Sequence, residues 1–288
     1  MIGSMFDTHC HLNFKAFAKD IPGYIDRARA AGVTDITVPG TDIATSRTAL
    51  AIAQRNDHIY AAIGIHPHHV FALRNSYEPS LDVAHMRQVV HRELQLLKKL
   101  VTAEKIVAIG ECGLDRHTYQ KTKYEQYEID DVFLAWQTEI FVGQIVLAVE
   151  SKKSLIVHNR EAKTEMMQTL SDHWDSHLEH RAVFHCCEPD SELLRFALTH
   201  HMFIGVDGDI TFRHDKQEFI ATVPMDMLVL ETDAPFLLPE PYRSRKAYPN
   251  EPAYGIEVAK TVARLRNISV DEIQSQTSKN AHELFCLA

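Results

Sequence analysis

Ile106-Val107-Ala108-Ile109-Gly110-Glu111-Cys112-Gly113-Leu114-Asp115 decides the fold. Its first four residues are apolar without alternation. A strand with one wet face alternates apolar and polar residues, whereas a parallel strand buried on both faces reads as an unbroken apolar run. An acid flanked by glycines then stands where the run stops. Leu228-Val229-Leu230, followed by Glu231-Thr232-Asp233, repeats the pattern near the other end of the chain. Working outward, β-rich runs are predicted at 5–8, 35–38, 60–65, 106–110, 155–158, 182–185, 202–206 and 227–231. Helical patterns lie between them at 43–55, 86–100, 127–151, 162–173, 191–200 and 217–222, and two more close the chain at 254–266 and 270–285. Strands that alternate with helices in this way predict an α/β protein, a TIM (β/α)8 barrel. A doubly wound open sheet lacks its mark, a G-x-G-x-x-G turn after an early strand. No linker or low-complexity tract divides the chain, so 1–288 is expected to be one domain, with Pro235 to Pro252 a long functional loop after the last strand.

The composition, 45% hydrophobic and 24% charged, is that of an ordinary globular protein. No run reaches the roughly 18 apolar residues of a membrane span, so no membrane role is expected. The start lacks the features of a signal peptide, and Gly3-Ser4 reads as a cloning scar before a natural start at Met5. Five cysteines, an odd number with no C-x-x-C, predict reduced thiols, a cytoplasmic protein and no thiolate zinc site. The net charge of −9 argues against a broad basic surface for nucleic acid. It leaves room for an anionic substrate, because divalent ions in a cleft add positive charge that the count omits.

The 18 histidines matter by position. Asp7-Thr8-His9-Cys10-His11 follows the first strand, and alternate residues of extended chain point the same way, so His9 and His11 can face one ion. Glu111 has two oxygens and can bridge two cations. His158 ends one strand and His185 the next, while Glu231 and Asp233 again sit two apart. In a TIM barrel catalytic groups gather at the C-terminal ends of the strands, where His9, His11, Glu111, His158, His185 and Asp233 all fall. Unrelated structural histidines would not distribute that way. His66, in Gly64-Ile65-His66-Pro67-His68-His69, is a candidate phosphate contact, whereas His68 and His69 read as solvated loop residues. Arg160 is either an anion clamp or half of a salt bridge. Asp115 reads as a turn acid capping the next helix, and Arg243, Arg245 and Lys246 as a solvated charge run. Trp136 and Trp174 read as core residues rather than base-stacking ones.

These motifs together resemble the TatD family of metal-dependent deoxyribonucleases. The resemblance runs from Asp-Thr-His-Cys-His-Leu at 7–12 through Gly-Ile-His-Pro-His at 64–68 and Gly-Glu-Cys-Gly-Leu-Asp at 110–115. It continues with His-Asn-Arg-Glu-Ala at 158–162 and Glu-Thr-Asp-Ala-Pro at 231–235. It implies a barrel of the amidohydrolase type that hydrolyses DNA phosphodiester bonds with two divalent ions (Mg, Mn or Zn). His9, His11, Glu111 and Asp233 would hold one ion, and the shared Glu111 with His158 and His185 the other. His66 would lie near the phosphate, and a third ion on Glu231 is not expected. Two departures stand out. The family's small loop resembling His-x-Phe-Ser-Gly reads His185-Cys-Cys-Glu-Pro-Asp here, stiffer and more acidic, and Arg116 stands where an aromatic residue is common in relatives.

The expected mechanism is two-metal activation of water, with Asp233 as general base and Glu111 fixing the spacing of the ions. His66 and Arg160 would stabilise charge on the phosphate. An acidic exterior around a cationic centre favours a single-stranded or free DNA end over a bound duplex, hence an exonuclease. Two rivals compete with this reading. One is an amidase or deaminase acting on a C–N bond, which commonly uses a bridging lysine where Glu111 stands. The other is a non-catalytic metal or nucleic-acid binding protein on the same barrel, which only the altered His185 loop favours.

Overall fold

Eight parallel strands pair in chain order: β1 (Met5–Asp7), β2 (Val33–Pro39), β3 (Ile59–Ile63), β4 (Ile106–Asp115), β5 (Ser154–Arg160), β6 (Ala182–Phe184), β7 (Phe203–Val206) and β8 (Leu228–Leu230). This computed structural model describes residues 4–75 and 83–287, so Gly3 of the expected Gly3-Ser4 scar lies outside it. The last strand meets the first. Thr8 N–H donates to Leu230 O at 3.0 Å, Asp233 N–H to His9 O at 2.9 Å and His11 N–H to Ala234 O at 2.8 Å. The sheet is therefore the closed (β/α)8 barrel that the apolar runs predict, and its closure places the His9–His11 and Glu231–Asp233 motifs side by side.

Ten helices are described: α1 (Ile21–Ala30), α2 (Ile43–Gln54), α3 (Pro67–Asn75), α4 (Val83–Leu100), α5 (Asp131–Ser151), α6 (Lys163–His173), α7 (Ser191–Thr199), α8 (His214–Thr222), α9 (Gly255–Arg266) and α10 (Val270–Phe285). The apolar period does not reveal α1 and α3. In α1, Pro22-Gly23 interrupts the pattern, and the helix starts instead on Asp20, whose carboxylate accepts the Gly23 N–H at 3.1 Å. Helix α3 puts Pro67 in its first turn, where a missing N–H is harmless. Helix α5 starts at Asp131 rather than 127, because the Asp130 carboxylate caps it at Phe133 N. By length and composition α5 would suit a membrane, but half of it is buried, and it packs on β4 and α4.

Side chains of alternate strand residues build the interior. Phe6, Ala62, Ala108, Ile156, Val183, Phe203 and Val229 cluster with Leu284 and Phe285 of α10, which closes the N-terminal end of the barrel. One step further along the same faces come His158, His185, Gly205 and Glu231, so the interior turns from apolar to polar towards the C-terminal end. Gly205 makes that change possible. A Cβ there would lie 2.5 Å from Glu231 Oε1, so only glycine leaves room for the carboxylate.

Candidate metal centre

The site is assembled from the ends of β1, β3, β4, β5, β6 and β8. On β4 the pairing register slips between Ile109 and Cys112, so the strand continues to Asp115 past the expected end at 110. Gly113 permits this. It has φ +149°, and a Cβ on it would fall 1.9 Å from His158 O. The slip turns Glu111 inward, 4% exposed, while Glu111 N–H donates to Gly40 O at 2.9 Å.

The two oxygens of Glu111 face different partners. Oε2 stands 3.5 Å from His9 Nε2 and 3.5 Å from His11 Nε2. Oε1 stands 2.9 Å from His158 Nδ1, 3.4 Å from His66 Nε2 and 3.6 Å from His185 Nε2. Asp233, in the left-handed conformation at φ 48°, turns Oδ1 to within 3.5 Å of His11 Nε2, 3.8 Å of His9 Nε2 and 3.9 Å of His185 Nε2. All six residues expected as ligands are thus brought together, and His66 joins them.

Three of the rings are faced from behind. His11 Nδ1 faces Pro39 O at 3.3 Å. His158 Nε2 faces Asp115 Oδ2 at 3.2 Å, and His185 Nδ1 faces Glu231 Oε2 at 3.2 Å. A carboxylate behind an imidazole holds the proton on the nitrogen that faces it and leaves the nitrogen facing the site basic, the arrangement usual at metal-binding histidines. His66 differs, because its Nδ1 accepts the His68 N–H at 3.0 Å. Its own proton therefore sits on Nε2 and points into the site, as a donor. Beneath the cluster the buried Asp7 accepts from His9 N–H, Thr232 N–H and Thr232 Oγ1–H. Burial pushes its carboxyl up to about 7, with the Thr232 and His9 donors pulling the other way.

The titration pattern fits a cation site. Burial holds the His9 imidazole down to about 4, helped by repulsion from His185. For His11 burial also opposes the charge, but the carboxylates of Asp233 and Glu111 outweigh it and raise the ring to about 9. His158 rises to about 10 beside Asp115 and Glu111, and His185 to about 9 beside Glu231 and Glu111, each against the cost of burial. Asp233 falls below the ordinary carboxylate range because His11, His185 and His9 outweigh its burial. His9 Nε2 and His11 Nε2 are only 3.2 Å apart and both are buried. Ring nitrogens converging on carboxylate oxygens in a dry pocket are a donor set for a divalent cation.

Two expectations need correction. His68 and His69 are not solvated loop residues. They lie in α3, and His68 Nε2 meets Thr122 Oγ1 at 2.9 Å while His69 Nδ1 meets Tyr124 Oη at 2.7 Å. Burial holds both rings in the neutral form, His68 down to about 4. Asp115 caps no helix; it is fully buried behind His158 and also accepts from Tyr119 Oη–H at 2.7 Å. Cys10 and Cys112, next to Glu111 and the histidines in sequence, are sealed, and Cys186 is the thiol that lines the pocket.

Among the described residues Arg160 has no carboxylate partner; its guanidinium lies 5.1 Å over the Tyr119 ring and donates to Tyr119 Oη at 3.4 Å. Arg243, Arg245 and Lys246 are exposed and line no part of the pocket. Trp136 is buried, and Trp174 packs on Phe196 and His200. Arg116 pairs on the surface with Glu165. Sequence reading missed Tyr119, Arg213, Phe14 and Phe236, all of which line the cavity of about 760 Å³ above the cluster. The acid introduced at Glu188 is matched: Arg213 Nη1 lies 2.8 Å from it.

The family model described as "TatD related DNase" matches residues 6–286. The chain belongs to the TatD family. It is 34% identical over 98% of both chains to an uncharacterized metal-dependent hydrolase, YabD, of Bacillus subtilis. It is 33% identical, over 98% of its own length and all of the relative's, to a protein of Erwinia tasmaniensis named 3'-5' ssDNA/RNA exonuclease TatD. The crystal structure of the Escherichia coli TatD homologue YJJV superposes with TM-score 0.82 at 27% identity, covering both chains fully. An organophosphorus hydrolase of Deinococcus radiodurans shares the fold alone, at TM-score 0.65 and 15% identity. With the TatD family come metal-dependent hydrolysis and a nucleic-acid substrate, and the amidase and non-catalytic readings are not favoured.

Proposed function

We propose that this chain hydrolyses phosphodiester bonds at a free end of single-stranded DNA, using two divalent ions. The observation that carries this reading is Glu111, whose oxygens face His9 and His11 on one side and His158, His66 and His185 on the other. A carboxylate so placed joins two donor groups. His9, His11 and Asp233 would complete one ion's set with Glu111 Oε2, and His158 and His185 the other with Oε1. Imidazole-rich sets suit Zn or Mn better than Mg, which keeps carboxylate and water oxygens. When bound, such ions polarise the phosphate and acidify water at neutral pH.

The side chains do the rest. Asp233 is kept ionised by its three imidazole neighbours, so it can take the proton from the attacking water and return it to the leaving oxygen. His66 points its Nε2–H into the site and can donate to a phosphate oxygen as negative charge grows there. Arg160, free of carboxylates among the described residues and steered by the Tyr119 ring, can hold a neighbouring phosphate. End-directed attack on single strands is supported by the exonuclease names of curated relatives. A cytoplasmic setting is supported by five free cysteines, and a single domain by the family match across 6–286.

The test is release of nucleotides from end-labelled single-stranded DNA, duplex DNA and RNA by chelator-treated protein resupplied with Mg²⁺, Mn²⁺ or Zn²⁺. Asp233→Asn should lower kcat by about 10²–10⁴, the usual worth of a general base. Equal cleavage by wild type and variant removes Asp233 from its role. Turnover of a cyclic amide but not DNA removes the nuclease reading.

A further inference from the structure

The cavity above the donor cluster has three chemically different walls. The wall from the ends of β6 and β7 is rich in carboxylates: Glu188, Asp207 and Asp209 line it, and its one guanidinium, Arg213, already pairs with Glu188 at 2.8 Å and with Asp215 at 2.6 Å. The wall from the ends of β4 and β5 presents Tyr119, Arg160 and Glu161, whose carboxylate is turned to His117 Nδ1 at 2.6 Å. The third, from the loops after β1 and β8, is aromatic and apolar, formed by Phe14, Phe236 and Leu237.

Phe236 is 47% exposed, one of few large apolar side chains that face water among the described residues. It leans edge-on against Phe14, with ring centroids 6.1 Å apart, and against His11 at 6.4 Å. Phe14 in turn stacks flat on His11 at 4.3 Å and 14°. The pair thus stands directly beside the donor set, with Phe14 as backing and Phe236 as the open surface. Exposing a ring costs burial that a folded chain ordinarily collects, and this one is held in place by backbone contacts. Phe236 N–H donates to Asp233 O at 2.9 Å, and the Asn250 side-chain amide, fully buried, donates to Phe236 O at 2.7 Å and Thr232 O at 2.9 Å. On the other loop Phe14 N–H donates to His11 O at 3.0 Å, and Asn13 ties down to Pro39 O at 2.9 Å.

We propose that Phe236, backed by Phe14, is a stacking subsite for the nucleobase next to the scissile phosphate. This deepens the nuclease reading and rests on it. A rigid aromatic face next to a phosphate-cleaving centre matches the two halves of a nucleotide, a flat π surface and an anion. The acidic β6–β7 wall repels phosphate, so the strand backbone runs along the Arg160 wall while the base turns to the aromatic one. Stacking of this kind accepts any base and needs one that is unpaired, which gives the site its preference for single strands.

Two measurements test the subsite. In the first, oligodeoxynucleotides carry either a normal terminal nucleotide or a tetrahydrofuran abasic residue, placed at the 3' end in one pair and the 5' end in another. Wild type should show a KM about tenfold lower for the normal member at the end it attacks, within the range that base–aromatic stacking supplies. Phe236→Ala should bring that ratio close to one, and Phe236→Trp should preserve it. The second needs no turnover: with Ca²⁺ present, a terminal 2-aminopurine should be quenched on binding to wild type and much less on Phe236→Ala. If DNA is cleaved but the ratio and the quenching are the same in Phe236→Ala, the subsite is wrong and the nuclease reading stands. If no metal supports DNA cleavage, the nuclease reading falls, and unchanged quenching in the variant then overturns the subsite as well.

Discussion

Asp115→Asn isolates what a carboxylate behind a histidine contributes. Asp115 is fully buried, 3.2 Å from His158 Nε2, and it accepts from Tyr119 Oη–H and His117 N–H, both at 2.7 Å. Burial works against its charge, yet His158 and Tyr119 hold the carboxyl down to about 2. It is therefore an anion at any working pH, and it keeps the His158 proton on Nε2 with Nδ1 directed at Glu111. Asparagine has the same shape and fits the same space. Its amide can instead donate to Nε2, which moves the ring proton to Nδ1 and removes the lone pair from the metal side. Losses at such positions usually cost 10–100-fold in metal affinity, or about 1.4–2.7 kcal/mol. Calorimetric titration of Zn²⁺ or Mn²⁺ into chelator-treated protein should show one ion weakened to that degree and the other nearly unchanged. Tyr119→Phe, which removes a donor to Asp115 but leaves its charge, should fall well short of this. Thermal melting of the metal-free proteins controls for misfolding. If Asp115→Asn binds both ions within twofold of wild type and cleaves at the same rate, His158 is not a ligand oriented by Asp115.

Arg160→Ala should raise KM for single-stranded DNA about tenfold with little change in kcat, the lower end for a charge-assisted contact because the side chain is exposed; steady-state kinetics at fixed salt reads it. Lys216 of α8 is buried and pairs with the equally buried Asp207, so Lys216→Met, which strands that carboxylate, should destabilise by about 3–5 kcal/mol, a fall of roughly 10 °C in Tm by calorimetry; adding Asp207→Leu should recover much of the loss. Metal binding should release protons. The rings of His11 and His185, raised to about 9, and of His158, raised to about 10, are protonated at pH 7 without metal and must be neutral to ligate. Affinity should therefore rise with pH from 7 to about 10 and flatten above. Calorimetry in buffers of different ionisation enthalpy counts the protons, and a flat profile from 7 to 9 would sink the argument.

The barrel was legible because its strands are unbroken apolar runs and each run ends in a residue with a chemical purpose. His9, His11, Glu111, His158, His185 and Asp233 could be read together because one fold rule puts all strand ends at one mouth. What escaped lies on loops, where no period operates. Phe14 and Phe236 sit in turns set by Asn13 and Asn250, long-range contacts that no local pattern announces. Asp115 escaped because the slip in β4 carries the strand past Glu111; judged by its run alone, the strand ends before Asp115. Arg213 is seven residues past β7, so its pairing with Glu188 depends on how two loops fold over the barrel.

The same geometry bears on how a protein of net charge −9 can take a polyanion into the cavity above its donor cluster. Asp233, Glu111, Asp115 and Glu231 lie within two side chains of one another, and Glu188, Asp207 and Asp209 line the same mouth. Lys216 pairs with Asp207 and Arg213 with Glu188, and without ions the imidazoles offset the rest of this charge only by holding protons. Cation binding replaces those protons with greater positive charge at one point, in a pocket where low dielectric strengthens every charge interaction. Metal dependence should therefore reach substrate binding as well as chemistry: DNA affinity should fall steeply on chelation even in Asp233→Asn, which turns over little. Arg160, the cavity-lining arginine with no carboxylate partner among the described residues, is exposed and screened by salt, so it offsets the remaining carboxylates only weakly. A variant that binds DNA equally well with and without metal would contradict that logic.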